Sequence, residues 1–127
     1  MSDSLTSLIN SGTKLWLDSI DPELVRANRE LGATGATSNP IIVSNLIKTG
    51  RFDAEINEVM KTGASDNEVA WQITNQMVKD AQTVFEEVWS ETRGNDGYVS
   101  FELDPLIEDR ELNLPHDDRV ARYLELG

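Results

Sequence analysis

Cysteine is absent from this 127-residue sequence, and histidine occurs once, at position 116. The missing thiols exclude disulfides, thiolate nucleophiles and cysteine-ligated zinc or iron–sulfur sites. One histidine cannot build a poly-histidine metal site, so no metal site is expected. A membrane-spanning helix needs about 18 consecutive apolar residues, and no stretch of the sequence approaches that length. The N-terminus lacks the basic and apolar regions of a signal peptide. We therefore expect a soluble cytoplasmic protein that does not bind membranes.

Basic residues are also scarce. Lysine and arginine together number 11 against 23 aspartates and glutamates, which gives a formal net charge of −12. This balance argues against nucleic-acid binding, because phosphate neutralisation needs basic side chains. It does not exclude small anionic substrates, which need only one or two cations or a helix N-terminus. The hydrophobic content of 39% is typical of a folded globular chain, and the length indicates one domain.

The first part of the sequence predicts a strand, a helix and a second strand. The apolar run at residues 14–18 (KLWLD) predicts a buried strand. Asp21 suits a helix N-cap and Pro22 suits the first turn of a helix that Gly32 would end. The small residues 33–38 (ATGATS) predict a second strand, because an Asn-Pro pair and an apolar run follow at once.

The remainder predicts helices around a third strand. Residues 51–61 and 66–92 show helical spacing, and Asp66 suits the N-cap of the longer helix. Its apolar face is formed by Val69, Ile73, Met77, Ala81, Phe85 and Val88. Residues 98–103 predict a third strand, and residues 117–126 predict a final helix. Strands that alternate with helices indicate βαβ units around a parallel sheet, and therefore an α/β fold.

Each predicted strand ends in polar side chains. Asp18 ends the first strand, Thr37-Ser38-Asn39 the second, and Glu102 lies near the end of the third. The carboxyl ends of parallel strands face the functional site in α/β folds, and a carboxylate in an apolar strand is either paired or functional. Two interpretations therefore stay open. Asp18 is either a helix cap or a site residue, and Glu102 is either a paired edge residue or a site residue.

Three motifs resemble those of transaldolases. The segment Gly35-Ala36-Thr37-Ser38-Asn39-Pro40 resembles the N-terminal signature of that family. The likeness extends upstream to residues 15–20 (LWLDSI) and downstream to residues 97–105 (GYVSFELDP), in the family's order. The resemblance implies a (β/α)8 barrel that transfers a dihydroxyacetone unit between sugar phosphates, in the pentose phosphate pathway, through a lysine Schiff base.

Four site residues follow from this resemblance. Asp18 matches the catalytic carboxylate that takes and returns the substrate hydroxyl proton during carbon–carbon cleavage. Glu102 matches the carboxylate that positions a proton-relaying water. Asn39 matches the amide that hydrogen-bonds the bound substrate, and Thr37 belongs to the same motif and orients the site.

The family's lysine nucleophile has no counterpart in the sequence. That lysine lies on the fourth strand, in an apolar segment that reads like MIKVPAT. The lysines present are Lys14, Lys48, Lys61 and Lys79. None of them lies in the apolar or cationic surroundings that lower the pKa of a Schiff-base lysine.

The combined prediction is an incomplete (β/α)8 TIM barrel. Residues 1–127 would form its N-terminal part, with about three parallel strands and their helices, whereas a complete barrel needs about 250 residues. We expect sugar phosphate substrates, no cofactor, and no activity of the chain alone. Either a second chain supplies the remaining strands or the chain self-associates through its open edges. The alternative is a non-enzymatic remnant that acts as an association module.

Overall fold

A computed structural model describes residues 3–126, and these residues alternate between helices and short strands. The order is α1 (Asp3–Asn10), β1 (Trp16–Leu17), α2 (Pro22–Glu30), β2 (Gly35–Ala36), α3 (Pro40–Lys48), α4 (Asp53–Met60), α5 (Asp66–Glu91), a 3-10 helix (Pro105–Glu108) and α6 (His116–Leu126). The predicted α/β class is confirmed. None of the helices within this part of the chain is long and apolar enough to cross a membrane.

The sheet is smaller than predicted. Strands β1 and β2 pair in parallel, with Trp16 opposite Gly35 and Leu17 opposite Ala36. The third predicted strand, residues 98–103, is reduced to a single parallel bridge between Ala36 and Val99. The prediction of three full strands was therefore wrong, although the three segments lie side by side in parallel.

Serine side chains end the pairing with the third segment. The N–H of Ser38 donates to the Oγ of Ser100 at 3.3 Å, and the Oγ of Ser38 donates to the carbonyl oxygen of Ser100 at 2.6 Å. Because these hydroxyls occupy the backbone groups that a further pair would need, the ladder does not continue toward residue 103.

Helices α2, α3 and α5 place buried side chains against one face of the sheet. The predicted apolar face of α5 is confirmed as the centre of the core, since all six of its residues are buried. Helices α2 and α4 both pack against α5. From the sheet side, Leu17 and Phe101 pack against this core, and Val99 is part of it. Burial of these side chains supplies the main force that holds the helices on the sheet.

Helix starts follow local capping chemistry. Asp21 caps α2 as predicted, since its carboxylate accepts from the N–H of Glu23 at 3.0 Å. The cap of α5 is Ser65 rather than the predicted Asp66. Ser65 and Glu68 form a capping box, in which each side chain accepts from the other residue's N–H. Asp66 is instead the first helical residue, where its charge suits the helix dipole.

A buried carboxylate joins β1 to the turn before the third segment. Asp96 is only 4% exposed, and its Oδ1 accepts from the indole Nε1 of Trp16 at 3.0 Å and from the N–H of Gly97 at 2.9 Å. The Nζ of Lys14 lies 3.8 Å from its Oδ2. Burial raises the pKa of Asp96, but hydrogen bonds from Gly97, Thr34 and Trp16 and the charge of Lys14 together lower it below its usual value.

We expect Asp96→Asn to destabilise the fold in a pH-dependent way. A carboxyl with a lowered pKa stabilises the folded state above its unfolded-state pKa, and this contribution is lost as the pH falls through the folded-state pKa. At pH 7 the variant should lose about 1–3 kcal/mol of unfolding free energy, because charge-assisted hydrogen bonds are weakened. The difference from the wild type should shrink below about pH 4. Urea denaturation at several pH values measures both effects.

Glu87→Gln is the matched control for this prediction, since Glu87 is exposed on α5. It removes one negative charge without touching the Asp96 cluster and should leave stability nearly unchanged at every pH. An equal loss in both variants, or a loss in the Asp96 variant that does not change with pH, would contradict the stabilising role of the buried carboxylate.

Candidate functional site

One face of the sheet lies opposite the helix-packed core. A Cβ atom on Gly35 would lie 2.6 Å from the carbonyl oxygen of Tyr98 and 2.8 Å from the ring of Trp16. Two residues further along each strand, the Oγ1 of Thr37 donates to the Oδ1 of Asp18 at 2.7 Å. Because side chains two residues apart on a strand share a face, Trp16, Asp18, Gly35 and Thr37 lie on the same face. We call this the open face.

An aromatic pair covers the end of the open face that lies away from Asp18 and Thr37. The ring centroids of Trp16 and Tyr98 lie 6.4 Å apart, and the side chains remain exposed at 38% and 47%. The indole of Trp16 is held by Asp96, so its position is fixed despite this exposure. Two large aromatic residues left uncovered side by side are typical of a surface that another part of a protein covers.

The first polar pair of the site lies at the carboxyl ends of β1 and β2. Asp18 directly follows β1 and is exposed, and Thr37 directly follows β2 and is half-buried. Their hydrogen bond confirms that the parallel register brings the ends of the two strands together. It fixes the orientation of the Asp18 carboxylate, and among residues 3–126 no hydrogen bond to the other carboxylate oxygen, Oδ2, is formed.

Asn39 is both a site candidate and a helix cap. Its Oδ1 accepts from the N–H of Ile42 at 2.9 Å and so caps α3. The cap holds the side chain in one orientation. Its Nδ2 group has no hydrogen-bond partner within residues 3–126, and it therefore keeps two donors for a ligand.

Glu102 and Asn39 line a common groove between α3 and α5. The groove has a volume of about 550 Å³. Its apolar wall includes Trp71 and Phe101, whose rings pack edge to face with centroids 6.0 Å apart. The other lining residues are Ser38, Pro40, Val43, Ser44, Ile47, Lys48, Asn67, Ala70, Thr74, Asp104, Pro105 and Leu106. The structure thus groups the predicted residues in two sets, Asp18 with Thr37 and Asn39 with Glu102, which the short segment 37–39 connects.

Two serines belong to this region but were not among the predicted site residues. Ser38 is 5% exposed and joins the end of β2 to Ser100 through both of the hydrogen bonds described above. The signal in the sequence is their spacing, since Ser38 lies beside Asn39 and Ser100 lies two residues before Glu102.

None of the four lysines lies on a strand of the described chain. Lys14 precedes β1, and its Nζ donates to the carbonyl oxygen of Asn95, at the opposite end of the sheet from Asp18. Lys48 is the last residue of α3; it is exposed and lines the groove. Lys61 and Lys79 are exposed beside α4 and on α5. No lysine is therefore placed on the open face beside Asp18.

The acidic loop before α6 is occupied by internal contacts. The carboxylate of Glu108 accepts from the hydroxyl of Tyr123 at 2.8 Å and from Arg119 at 2.6 Å. Hydrogen bonds from Tyr123 and then Arg119 lower the pKa of Glu108. Between residues 3 and 126 no three acidic or histidine side chains are close enough to hold a metal ion.

Comparison with known proteins identifies the family. The profile of the Transaldolase/Fructose-6-phosphate aldolase family matches residues 15–124. The chain belongs to this family. The predicted resemblance to transaldolases is confirmed, and the matched range contains Asp18, Thr37, Asn39 and Glu102.

Curated relatives named transaldolase are longer than this chain. The transaldolase of Arthrobacter sp. (strain FB24) is 33% identical over 114 residues, which cover 84% of this chain and 31% of the relative. The transaldolase of Trichodesmium erythraeum is 29% identical over 135 aligned residues, covering 100% of this chain and 35% of the relative. That of Thermobifida fusca is 31% identical, with 84% and 31% covered. The chain thus spans about a third of the length of these members of the family.

We expect Gly35→Ala to destabilise the chain. The backbone of Gly35 itself is not in the left-handed region, so the cost comes from the close approach of Trp16 and the Tyr98 carbonyl. Overpacking of this kind costs about 1–3 kcal/mol. The same change in a Trp16→Val background should cost less, because one of the two obstacles is gone. Urea unfolding of the four proteins measures the coupling; equal costs in both backgrounds would contradict the contact.

Proposed function

We propose that this chain supplies the first strands of a transaldolase-type (β/α)8 barrel and takes part in the transfer of a dihydroxyacetone unit between sugar phosphates. The observation that carries the proposal is the Asp18–Thr37 hydrogen bond at the carboxyl ends of two parallel strands. In barrels of this kind the catalytic groups come from those ends. The family membership and the relatives named transaldolase support the same chemistry.

Each residue has a role that suits its surroundings. Asp18 is held by Thr37 and remains exposed, so it takes and returns the proton of a substrate hydroxyl as general base and acid. Asn39 offers its free Nδ2 group to the substrate while its oxygen is used by the helix cap. Glu102, on the groove that Asn39 also lines, positions a water for proton relay.

The chain alone lacks two requirements of the reaction. A Schiff base needs a lysine at the site, and no lysine lies on the strands. Within residues 3–126 the sheet also has two open edges, the outer side of β1 and the outer side of the segment around Val99, which in a closed barrel would pair with further strands. We therefore infer that these 127 residues are inactive by themselves and that the lysine and the remaining strands must be supplied from outside them.

Borohydride trapping tests the first half of this proposal. The isolated chain is incubated with fructose 6-phosphate and sodium borohydride, and its mass is measured after digestion. We expect no covalent adduct, because the lysines are exposed or far from the open face. An adduct on Lys48, which lines the groove, would show that the chain carries its own nucleophile.

Reconstitution tests the second half. The chain is co-expressed with the part of the Thermobifida fusca transaldolase that lies outside the match, and sugar phosphate turnover is measured. We expect turnover in the mixture only. Asp18→Asn and Glu102→Gln should each reduce kcat about 100-fold or more, as for loss of general acid–base catalysis.

Glu87→Gln again serves as the control and should keep full activity, since it is exposed on α5. Undiminished turnover in the Asp18 variant would overturn its assigned role.

The alternative function, a non-enzymatic association module, is favoured by the exposed Trp16–Tyr98 pair. Stable self-association of the chain, without binding to the complementing polypeptide, would support that alternative instead.

A further inference from the structure

The ladder between β2 and the third segment is regular up to one point. The N–H of Ala36 donates to the carbonyl oxygen of Tyr98 at 3.0 Å, and the N–H of Ser100 donates to the carbonyl oxygen of Ala36 at 3.0 Å. In a parallel ladder the next bond runs from the N–H of Ser38 to the carbonyl oxygen of Ser100. Across residues 3–126 this backbone bond is missing from the pairing.

Two hydroxyls stand in place of that bond. The N–H of Ser38 bonds to the hydroxyl of Ser100, and the hydroxyl of Ser38 bonds to the carbonyl of Ser100. Every polar group of the missing rung is therefore satisfied, although Ser38 is almost fully buried. We call this arrangement the hydroxyl rung. Because it inserts a side-chain atom into each contact, it holds the two backbones further apart than a direct N–H to C=O bond would.

The hydroxyl rung lies immediately before the two candidate residues of the groove. Asn39 follows Ser38 directly, and Glu102 lies two residues after Ser100. Both residues line the groove, and so does Ser38. Beyond the rung, residues 39 and 102 are not paired in the described sheet, and both border the groove.

We propose that Ser38 and Ser100 are positioning residues that set the separation of Asn39 and Glu102 across the groove. The inference deepens the proposed transaldolase-type function and rests on it. Neither serine needs to touch substrate. Their hydroxyls act on the reaction by keeping the substrate-binding amide and the proton-relay carboxylate apart, so that a sugar phosphate and a water fit between them.

A purely structural role predicts a different outcome from a spacing role. If the hydroxyls only stabilise the sheet, removing both leaves the rung broken and the chain less stable. If they act as spacers, the variant Ser38→Ala/Ser100→Ala permits the direct backbone bond, and the ladder closes by one further pair. Stability is then largely kept, while Asn39 and Glu102 are drawn together.

Scalar couplings across hydrogen bonds, measured by NMR on the labelled 127-residue chain, distinguish these outcomes. The wild type should show a coupling between the Ala36 nitrogen and the Tyr98 carbonyl carbon, but none between Ser38 and Ser100. The double alanine variant should show both, and NOEs between residues 39 and 102 should strengthen. A Ser38–Ser100 backbone coupling in the wild type, or its absence in the double variant, would overturn the proposal.

Activity of the reconstituted complex provides the second readout. The double alanine variant should lose about tenfold to a hundredfold in kcat with a smaller change in KM, since misplacement by about 1 Å has effects of this size. Ser38→Thr keeps the hydroxyl and should retain activity, whereas Ser38→Val, of similar shape, should not. A loss in both single variants would contradict positioning by the hydroxyl. If the wild-type mixture shows no turnover, the proposed function fails. The couplings and NOEs then still test whether the two serine hydroxyls act as spacers.

Discussion

The double pairing of Ala36 is the constraint on which the rest of the structure depends. Ala36 pairs with Leu17 of β1 on one side and with Val99 on the other, and its side chain is fully buried. No other residue of the described sheet contacts both neighbours in this way. The three segments that carry the polar residues of the site are therefore aligned by one small residue, whose methyl group leaves room for the helix-packed core.

The composition around Ala36 explains the shape of the open face. Gly35 has no side chain, which allows Trp16 and Tyr98 to meet above it. Thr37 is the next residue after Gly35 on the same face, and its side chain is long enough to reach Asp18. The open face therefore changes from the Trp16–Tyr98 pair at one end of the sheet to the Asp18–Thr37 pair at the carboxyl ends of the strands, which is where a closed barrel has its site.

Helices and their caps were largely predictable, because their signals are local. The apolar face of α5 recurs at helical spacing, and Asp21 with Pro22 marks the start of α2. The cap of α5 was assigned one residue late, since Ser65 and Asp66 are both good caps and only Glu68, three residues after Ser65, decides between them. Helix α1 was not predicted, since it is only eight residues long, although Leu5, Leu8 and Ile9 recur at helical spacing.

Sheet extent and site geometry depend on pairing, which a local pattern does not contain. Residues 98–103 were predicted to form a strand, but the structure has a single bridge there. The serine contacts that end the pairing arise only when residues 38 and 100 come together. The family motifs singled out Asp18, Thr37, Asn39 and Glu102. Their division between a hydrogen-bonded pair and a groove follows from the register and from the cap on α3.

The most direct test of this arrangement is the pattern of interstrand NOEs in the uniformly labelled chain. Parallel alignment predicts NOEs from Trp16 to Gly35 and from Ala36 to Val99, with Leu17 contacting the core helices and Trp16 contacting Tyr98. Observing this set would place the polar ends of the three segments on one edge of the sheet. An antiparallel pattern, or a register shifted by one residue so that Trp16 faces the helices, would contradict it.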